Sequence, residues 1–184
     1  MRIIGGQYGG LRLHPPTNLP VRPTTDIAKE ALFNILENKL SLEECTCLDL
    51  FAGTGNISFE LASRGVMSVD AVDIHFKCLQ YIKETTLKLK TDVISTRKAD
   101  VLKYLSTCKK QYDFIFADPP YDLPQLPQLA SIILKNGLLN PQGILVVEHP
   151  STRKMDEQEG YLDTRKYGYS SFSFYTHPEN VVNL

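Results

Sequence analysis

No stretch of this chain approaches the roughly 18 continuous apolar residues that a membrane-crossing helix needs, so no membrane span is expected. Charge of one sign is also missing: 20 Lys and Arg stand against 21 Asp and Glu, for a net charge of -1. No global basic field announces a nucleic-acid partner, and any such partner must meet a local patch. The four cysteines, Cys45, Cys47, Cys78 and Cys108, make no CxxC and no zinc spacing, and no secretory signal is read ahead of them. Free buried thiols in a reducing cytoplasm are the expectation, with no metal site. Repeats, low-complexity tracts and linkers are lacking too. With 184 residues, 42% of them hydrophobic, one domain around one sizeable core is expected over residues 1–184.

What is present alternates between two periods. Thr46 to Leu50, Ser68 to Val72, Val93 to Arg97, Tyr112 to Ala117 and Gly143 to Glu148 read as strands. Helices are expected between them at Asn56 to Arg64, Phe76 to Leu89, Val101 to Ser106 and Pro124 to Lys135. Repeated β-α units of this kind predict an α/β fold, a mostly parallel Rossmann-like sheet with helices on both faces. The aromatic tail from Tyr167 to Tyr175 is expected to close the sheet as an antiparallel strand, its rings serving as core and edge packing. Ahead of the sheet, Met1 to Leu13 reads as a small β-hairpin turning on Gly5-Gly6 and Gly9-Gly10, within an N-terminal extension of residues 1–22. A first helix follows, capped by Thr24 or Thr25, with Ile27, Ala28, Ala31, Leu32, Ile35 and Leu36 as its buried stripe. It opens the core, residues 23–184.

Three acids and a glycine turn stand at successive strand ends, the rim where open α/β sheets bind ligands. Leu48 to Asn56 is a strand, a turn with Gly53 and Gly55, and a helix start, which lets backbone N–H groups approach a ligand closely. A dinucleotide fingerprint wants a third small residue where Ser58 stands, and Asp49 just before the turn would repel a pyrophosphate. The same carboxylate attracts a cationic amino-acid moiety, which favours S-adenosylmethionine. Asp73 suits both hydroxyls of a ribose, and Asp100 suits an adenine amine. Asp118-Pro119-Pro120-Tyr121 ends the fourth strand. The Asp118 carboxylate and the Pro119 carbonyl are acceptors that an –NH2 group can bridge, stiffened in advance by proline. Tyr121 can lie flat on a base that has left its stack.

These blocks resemble the RsmD-type class I methyltransferases, over nearly the whole chain. The resemblance rests on Arg2-Ile3-Ile4-Gly5-Gly6, on Arg22-Pro23-Thr24-Thr25-Asp26 with Glu30 to Leu36, on Leu48 to Gly55, on Asp118 to Tyr121 and on Val146-Val147-Glu148-His149. It implies methylation of the N2 amine of a guanine in 16S ribosomal RNA, carried as naked RNA or in a small-subunit particle or assembly intermediate. A cytoplasmic monomer is expected. It implies a cofactor pocket of Asp49, Phe51, Gly53, Gly55, Asp73, Ile74, Asp100 and Val101, and RNA contacts at Arg2, Arg12 and Arg22. One departure matters. The family's hairpin carries several basic residues after its double glycine, and here Gln7 to Leu13 keeps only Arg12. Phosphate contacts dominate RNA affinity, so a weaker grip is expected from this segment.

The mechanism expected is direct transfer to the exocyclic amine of a flipped-out base, with Asp118 and Pro119 accepting its hydrogens. Adenine N6 in DNA or RNA is the alternative acceptor. A non-catalytic ribosome-assembly factor and a nicotinamide-dependent oxidoreductase are the alternatives of other classes, the last disfavoured by Asp49 and Ser58.

Overall fold

Strands form where β-branched and aromatic residues run without a breaker, and helices where a cap opens a 3.6-residue stripe. The computed structural model describes residues 1–21 and 24–181. In chain order it contains α1 (Asp26–Glu37), β1 (Thr46–Leu50), α2 (Asn56–Ser63), β2 (Ser68–Asp73) and α3 (Phe76–Leu89). Then come β3 (Ile94–Lys98), α4 (Val101–Thr107), β4 (Tyr112–Ala117), α5 (Leu129–Lys135) and β5 (Leu139–Pro150). The chain closes with β6 (Tyr161–Tyr167), β7 (Ser170–Tyr175) and α6 (Pro178–Val181). No helix among the described residues is long and apolar enough to cross a membrane.

One seven-stranded sheet runs in the order β3-β2-β1-β4-β5-β7-β6. The first five strands are parallel, and β7 pairs antiparallel with β5 and β6. This is the Rossmann-like α/β arrangement expected from the alternation, and its seven strands, mostly parallel with an antiparallel C-terminal strand, are those of the class I fold that the resemblance implies. Side chains alternate across each strand, so two apolar layers form. Cys47, Phe114, Phe116, Val146 and Phe172 join residues of α1, α2 and α3, whereas Leu48, Leu50, Ile115, Val147 and Tyr175 join those of α4 and α5. Each fully buried Leu or Phe contributes about 1.5–3 kcal/mol.

Three expectations need correction. The closing antiparallel strand, β7, starts at Ser170 rather than Tyr167, and a further strand, β6, precedes it across a turn at Gly168, at φ 64, and Tyr169. Pro124 to Gln128 is not α-helix; a 3-10 turn at Leu126–Gln128 precedes α5, because Pro127 removes an N–H from the ladder. The stripe of α1 is rotated: Ala28, Lys29, Leu32, Phe33 and Leu36 are buried, while Ile27 is 77% exposed. The N-terminal hairpin forms as expected: its arms meet antiparallel at Arg2 and Arg12, with Ile3 N–H donating to the Leu11 carbonyl at 2.9 Å and Leu13 N–H to the Met1 carbonyl at 2.8 Å. There the N–H groups of Ile4 and Gly5 turn from the facing strand to the Glu60 carboxylate of α2, at 2.7 and 2.8 Å. Gly6 lies so close to α2 that a Cβ would sit 1.9 Å from the Ser63 carbonyl oxygen, at a φ of +72°. Ile3 is then 1% exposed, part of the main core.

Candidate active site

Leu50 and Ala117 are partners across the β1–β4 seam, so Phe51 and Asp118 leave the sheet side by side. From this seam successive strands run outward in both directions, and such a switch point opens a crevice at the carboxyl ends. A cleft of about 540 Å³ occupies it, within the range of small-molecule sites. The predicted cofactor residues Asp49, Phe51, Gly53, Asp73, Ile74, Asp100 and Val101 all line it. So do the predicted catalytic residues Asp118, Pro119, Pro120 and Tyr121.

The glycine turn is shaped by backbone that L-residues avoid. Phe51, Gly53 and Gly55 have φ of 61, 53 and 80°, and for a bulky residue like Phe51 that conformation costs about 1–2 kcal/mol. Gly55 stands behind the cleft wall, where a Cβ would come within 2.9 Å of Ile82 Cγ1 and 3.0 Å of Phe59 Cε2. A Cβ on Gly53 would lie 3.1 Å from Val21 Cγ1, another cleft residue, so this part of the wall is built for close approach.

Alternation along β1 sends Asp49 toward α2, where it is 2% exposed. Its Oδ2 accepts from the Ser58 N–H at 3.1 Å and the Ser58 hydroxyl at 2.5 Å. Burial drives its pKa up to about 7; the two Ser58 bonds oppose that rise and the Asp73 charge adds to it. Asp73 is also spoken for. Its Oδ2 accepts from Gly53 N–H at 2.8 Å, and its Oδ1 accepts from His75 N–H at 2.8 Å and lies 3.0 Å from His75 Nδ1. A carboxylate offers about four lone-pair sites. Two further hydroxyl donors therefore require the exposed His75 ring to turn aside. Asp100 caps α4, accepting from Lys103 N–H at 3.0 Å, while also lining the cleft.

A buried polar network that sequence reasoning missed runs from the cleft wall, at Thr24 and Asn56, into the core. Lys29 Nζ, fully buried, donates to the Arg2 carbonyl at 2.5 Å and to Asn56 Oδ1 at 2.8 Å, and pairs with Glu60 at 3.3 Å. Burial lowers the Lys29 pKa against the opposing pull of Glu60. Asn56 Nδ2 donates to the Thr24 carbonyl at 3.1 Å, and the Thr24 hydroxyl donates to Glu148 Oε2 at 2.9 Å. Thr24 is thereby taken up by Glu148, and Thr25 is the residue that caps α1. Glu60 also holds Arg64 Nε at 2.9 Å. The available signal was Lys29 itself, a charge at i, i+3, i+4 spacing from the apolar Leu32 and Phe33. Ser58, read only as a break in a fingerprint, is the donor that holds Asp49.

Of the expected RNA contacts, Arg2 and Arg12 do not line the cleft. Arg2 Nε lies 3.2 Å from Asp26 Oδ2, a half-exposed pair worth at most about 1 kcal/mol. Arg12 is exposed, across the bridge from Arg2. Arg22 lies outside the described residues.

The family model described as conserved hypothetical protein 95 matches residues 1–176 of this chain. A Bacillus subtilis protein named putative rRNA methyltransferase YlbH is 34% identical over 183 residues, covering 95% of this chain and 98% of that one. A Buchnera aphidicola protein named ribosomal RNA small subunit methyltransferase D is 30% identical over 152 residues, covering 83% of this chain and 77% of its own length. Among solved structures, the putative methyltransferase yhhF from Escherichia coli superposes with a TM-score of 0.83 at 26% identity, covering 96% and 97% of the two chains.

Proposed function

Since this chain belongs to the conserved hypothetical protein 95 family, that of RsmD-type methyltransferases, we propose that it methylates 16S ribosomal RNA on the N2 amine of a guanine, with S-adenosylmethionine as donor. The observation that carries the reading is the common wall: Asp118-Pro119-Pro120-Tyr121 and the Asp49, Gly53 and Asp73 group line one cleft of about 540 Å³. The donor set fits the cofactor. Asp49 offers an anion to an ammonium group, Asp73 an acceptor to a ribose, and exposed Ile74 an apolar surface to a purine. When bound, S-adenosylmethionine supplies an electrophilic methyl group on a cationic sulfur.

The chain's own part is positioning and electrostatics. A guanine N2 amine has its lone pair delocalised into the ring and is a poor nucleophile. Acceptance of its two hydrogens by the Asp118 carboxylate and the Pro119 carbonyl draws it toward a pyramidal geometry and stabilises the positive charge that develops on it. Two successive prolines hold those acceptors before the base arrives, so little reorganisation remains. Tyr121 stacks on the base once it has left the duplex. No strong general base is needed, because the amine loses its proton after transfer.

The test is methyl transfer to small subunits from a methylation-deficient strain, followed by mapping of the product. Methylated N2-guanosine at one 16S position is the expected result. Methylated N6-adenosine would move the reading to the other amine, and cofactor binding without any methylation would leave an assembly factor.

A further inference from the structure

Tyr169 is 94% exposed, while its neighbours in the tail are packed: Tyr167 lies 5.5 Å from Phe172 and Tyr161 lies 5.8 Å from Tyr175, centroid to centroid. The ring is carried on a braced turn. Ser151, in the loop after β5, donates its N–H to the Tyr169 carbonyl at 2.9 Å and its hydroxyl to the Gly168 carbonyl at 3.0 Å. A third contact, between the Ser151 and Ser171 hydroxyls at 2.9 Å, ties the same loop to β7.

Cations surround this turn. Arg153 and Lys154 are exposed in the loop, whose first turn closes with Arg153 N–H donating to the Pro150 carbonyl at 2.9 Å. Arg165 and Lys166 are exposed on β6 next to the turn, and Arg165 shares its charge with Asp163 at 2.7 Å. The acids further along the loop, Asp156, Glu157 and Glu159, are carried toward the other end of the sheet. Gln158 is held by Ser131 N–H of α5 at 2.9 Å, and the Gly160 carbonyl by Thr176 N–H, past the end of β7, at 2.9 Å. Lysines on an edge strand discourage sheet-to-sheet pairing. That role does not account for a tyrosine braced in water at the turn.

Register puts the turn on the cleft's own rim. Ala117 pairs with Val147, and Pro150, three residues on, pairs with Ser170. Tyr169 therefore stands two strand spacings, roughly 10 Å, to the side of Asp118 and roughly 7–10 Å further out. At roughly 3.4 Å for each stacked base, that separation is within reach of the nucleotides flanking one delivered to the cleft.

We propose that the turn between β6 and β7, with the loop after β5, is an RNA-contact surface: Tyr169 stacks on an unpaired base flanking the target, and Arg153, Lys154 and Lys166 contact its phosphates. This rests on the RNA-methyltransferase reading above. It supplies the charge that the N-terminal segment lacks, where Arg2 is taken up by Asp26. An aromatic face accepts any base, and adjacent cations hold the backbone, the combination used for single-stranded nucleic acid.

The test uses the full chain, in-vitro-transcribed 16S ribosomal RNA and small-subunit particles. Tyr169→Ala is expected to raise the RNA Kd and the KM for methylation about 10-fold, with kcat, S-adenosylhomocysteine affinity and Tm unchanged. Tyr169→Phe, which keeps the stacking face, is expected to match the wild type. Replacing Arg153, Lys154 and Lys166 together by Gln is expected to reduce the slope of log K against log salt by about 2, at ~0.7 per phosphate of a single strand. Unchanged Kd and salt slope in both variants overturn the surface and leave the methyltransferase reading standing. Tyr169-dependent binding to particles but not to free RNA makes it a protein contact and also overturns it. Tyr169-dependent RNA binding without methylation keeps the surface and discards the activity.

Discussion

In the proposed reading Asp49 faces the ammonium group of the cofactor, and binding is then expected to be a proton-linked event. The folded chain without cofactor raises its pKa from 3.8 to about 7, chiefly through burial. For an acid raised in this way, the folded state holds a proton that the unfolded state has already lost between those two values. Stability from this group is therefore full below pH ~4 and falls as pH rises toward ~7, by about 1.36 kcal/mol per pH unit and on the order of 4 kcal/mol in all. A cationic ammonium beside it favours the ionised form instead. At pH 6 roughly a tenth of the chains carry the anion and at pH 8 roughly nine-tenths, so affinity for S-adenosylhomocysteine is expected to rise about 10-fold over that range. Titration calorimetry in buffers of different ionisation enthalpy is expected to detect nearly one proton released per ligand at pH 6 and almost none at pH 8. Asp49→Asn is expected to bind weakly, with a flat pH profile, and to be more stable than the wild type above pH 7. Wild-type affinity that does not change between pH 6 and pH 8, or an Asp49→Asn variant that keeps the slope, would refute the pairing.

Asp118→Ala is expected to abolish methylation while leaving S-adenosylhomocysteine affinity nearly unchanged; normal turnover removes the proposed role of its carboxylate. Tyr121→Ala is expected to raise the KM for RNA about 10-fold or more, and Tyr121→Phe to behave like the wild type, as steady-state kinetics will tell. Lys29→Met leaves the buried Glu60, the Arg2 carbonyl and Asn56 short of a donor, for a loss of about 3–5 kcal/mol and a Tm lower by roughly 10 °C. Calorimetry that finds less than ~1 kcal/mol would show the network to be dispensable. Gly55→Ala forces a Cβ to 2.9 Å from Ile82 at a φ of +80°, and is expected to reduce both stability and cofactor affinity; an unchanged Tm argues that the turn relaxes.

Most of the cleft could be placed from the sequence because its signals are local. A proline limits the residue beside it, a glycine permits a positive φ, and a strand that ends in Asp delivers that side chain to the rim wherever the strand lies in the sheet. Hence Asp49, Asp73, Asp100 and Asp118 reach one cleft, as their positions after successive strands implied.

Partners distant in sequence were another matter. Ser58 on Asp49, Glu60 on the N–H groups of Ile4 and Gly5, and Glu148 on Thr24 are bonds between segments that only packing brings together. The face that α1 buries was misjudged by about a quarter turn, since Ile27 and Ala28 are both apolar and only docking against the sheet chooses between them. The turn at Gly168-Tyr169 likewise depended on how β7 registers against β5 on one side and β6 on the other. Backbone preference and hydrophobic period act within a few residues, and so were written into the chain itself. Burial, charge pairing and the exposure of Tyr169 arise between segments many residues apart, and only the folded sheet could settle them.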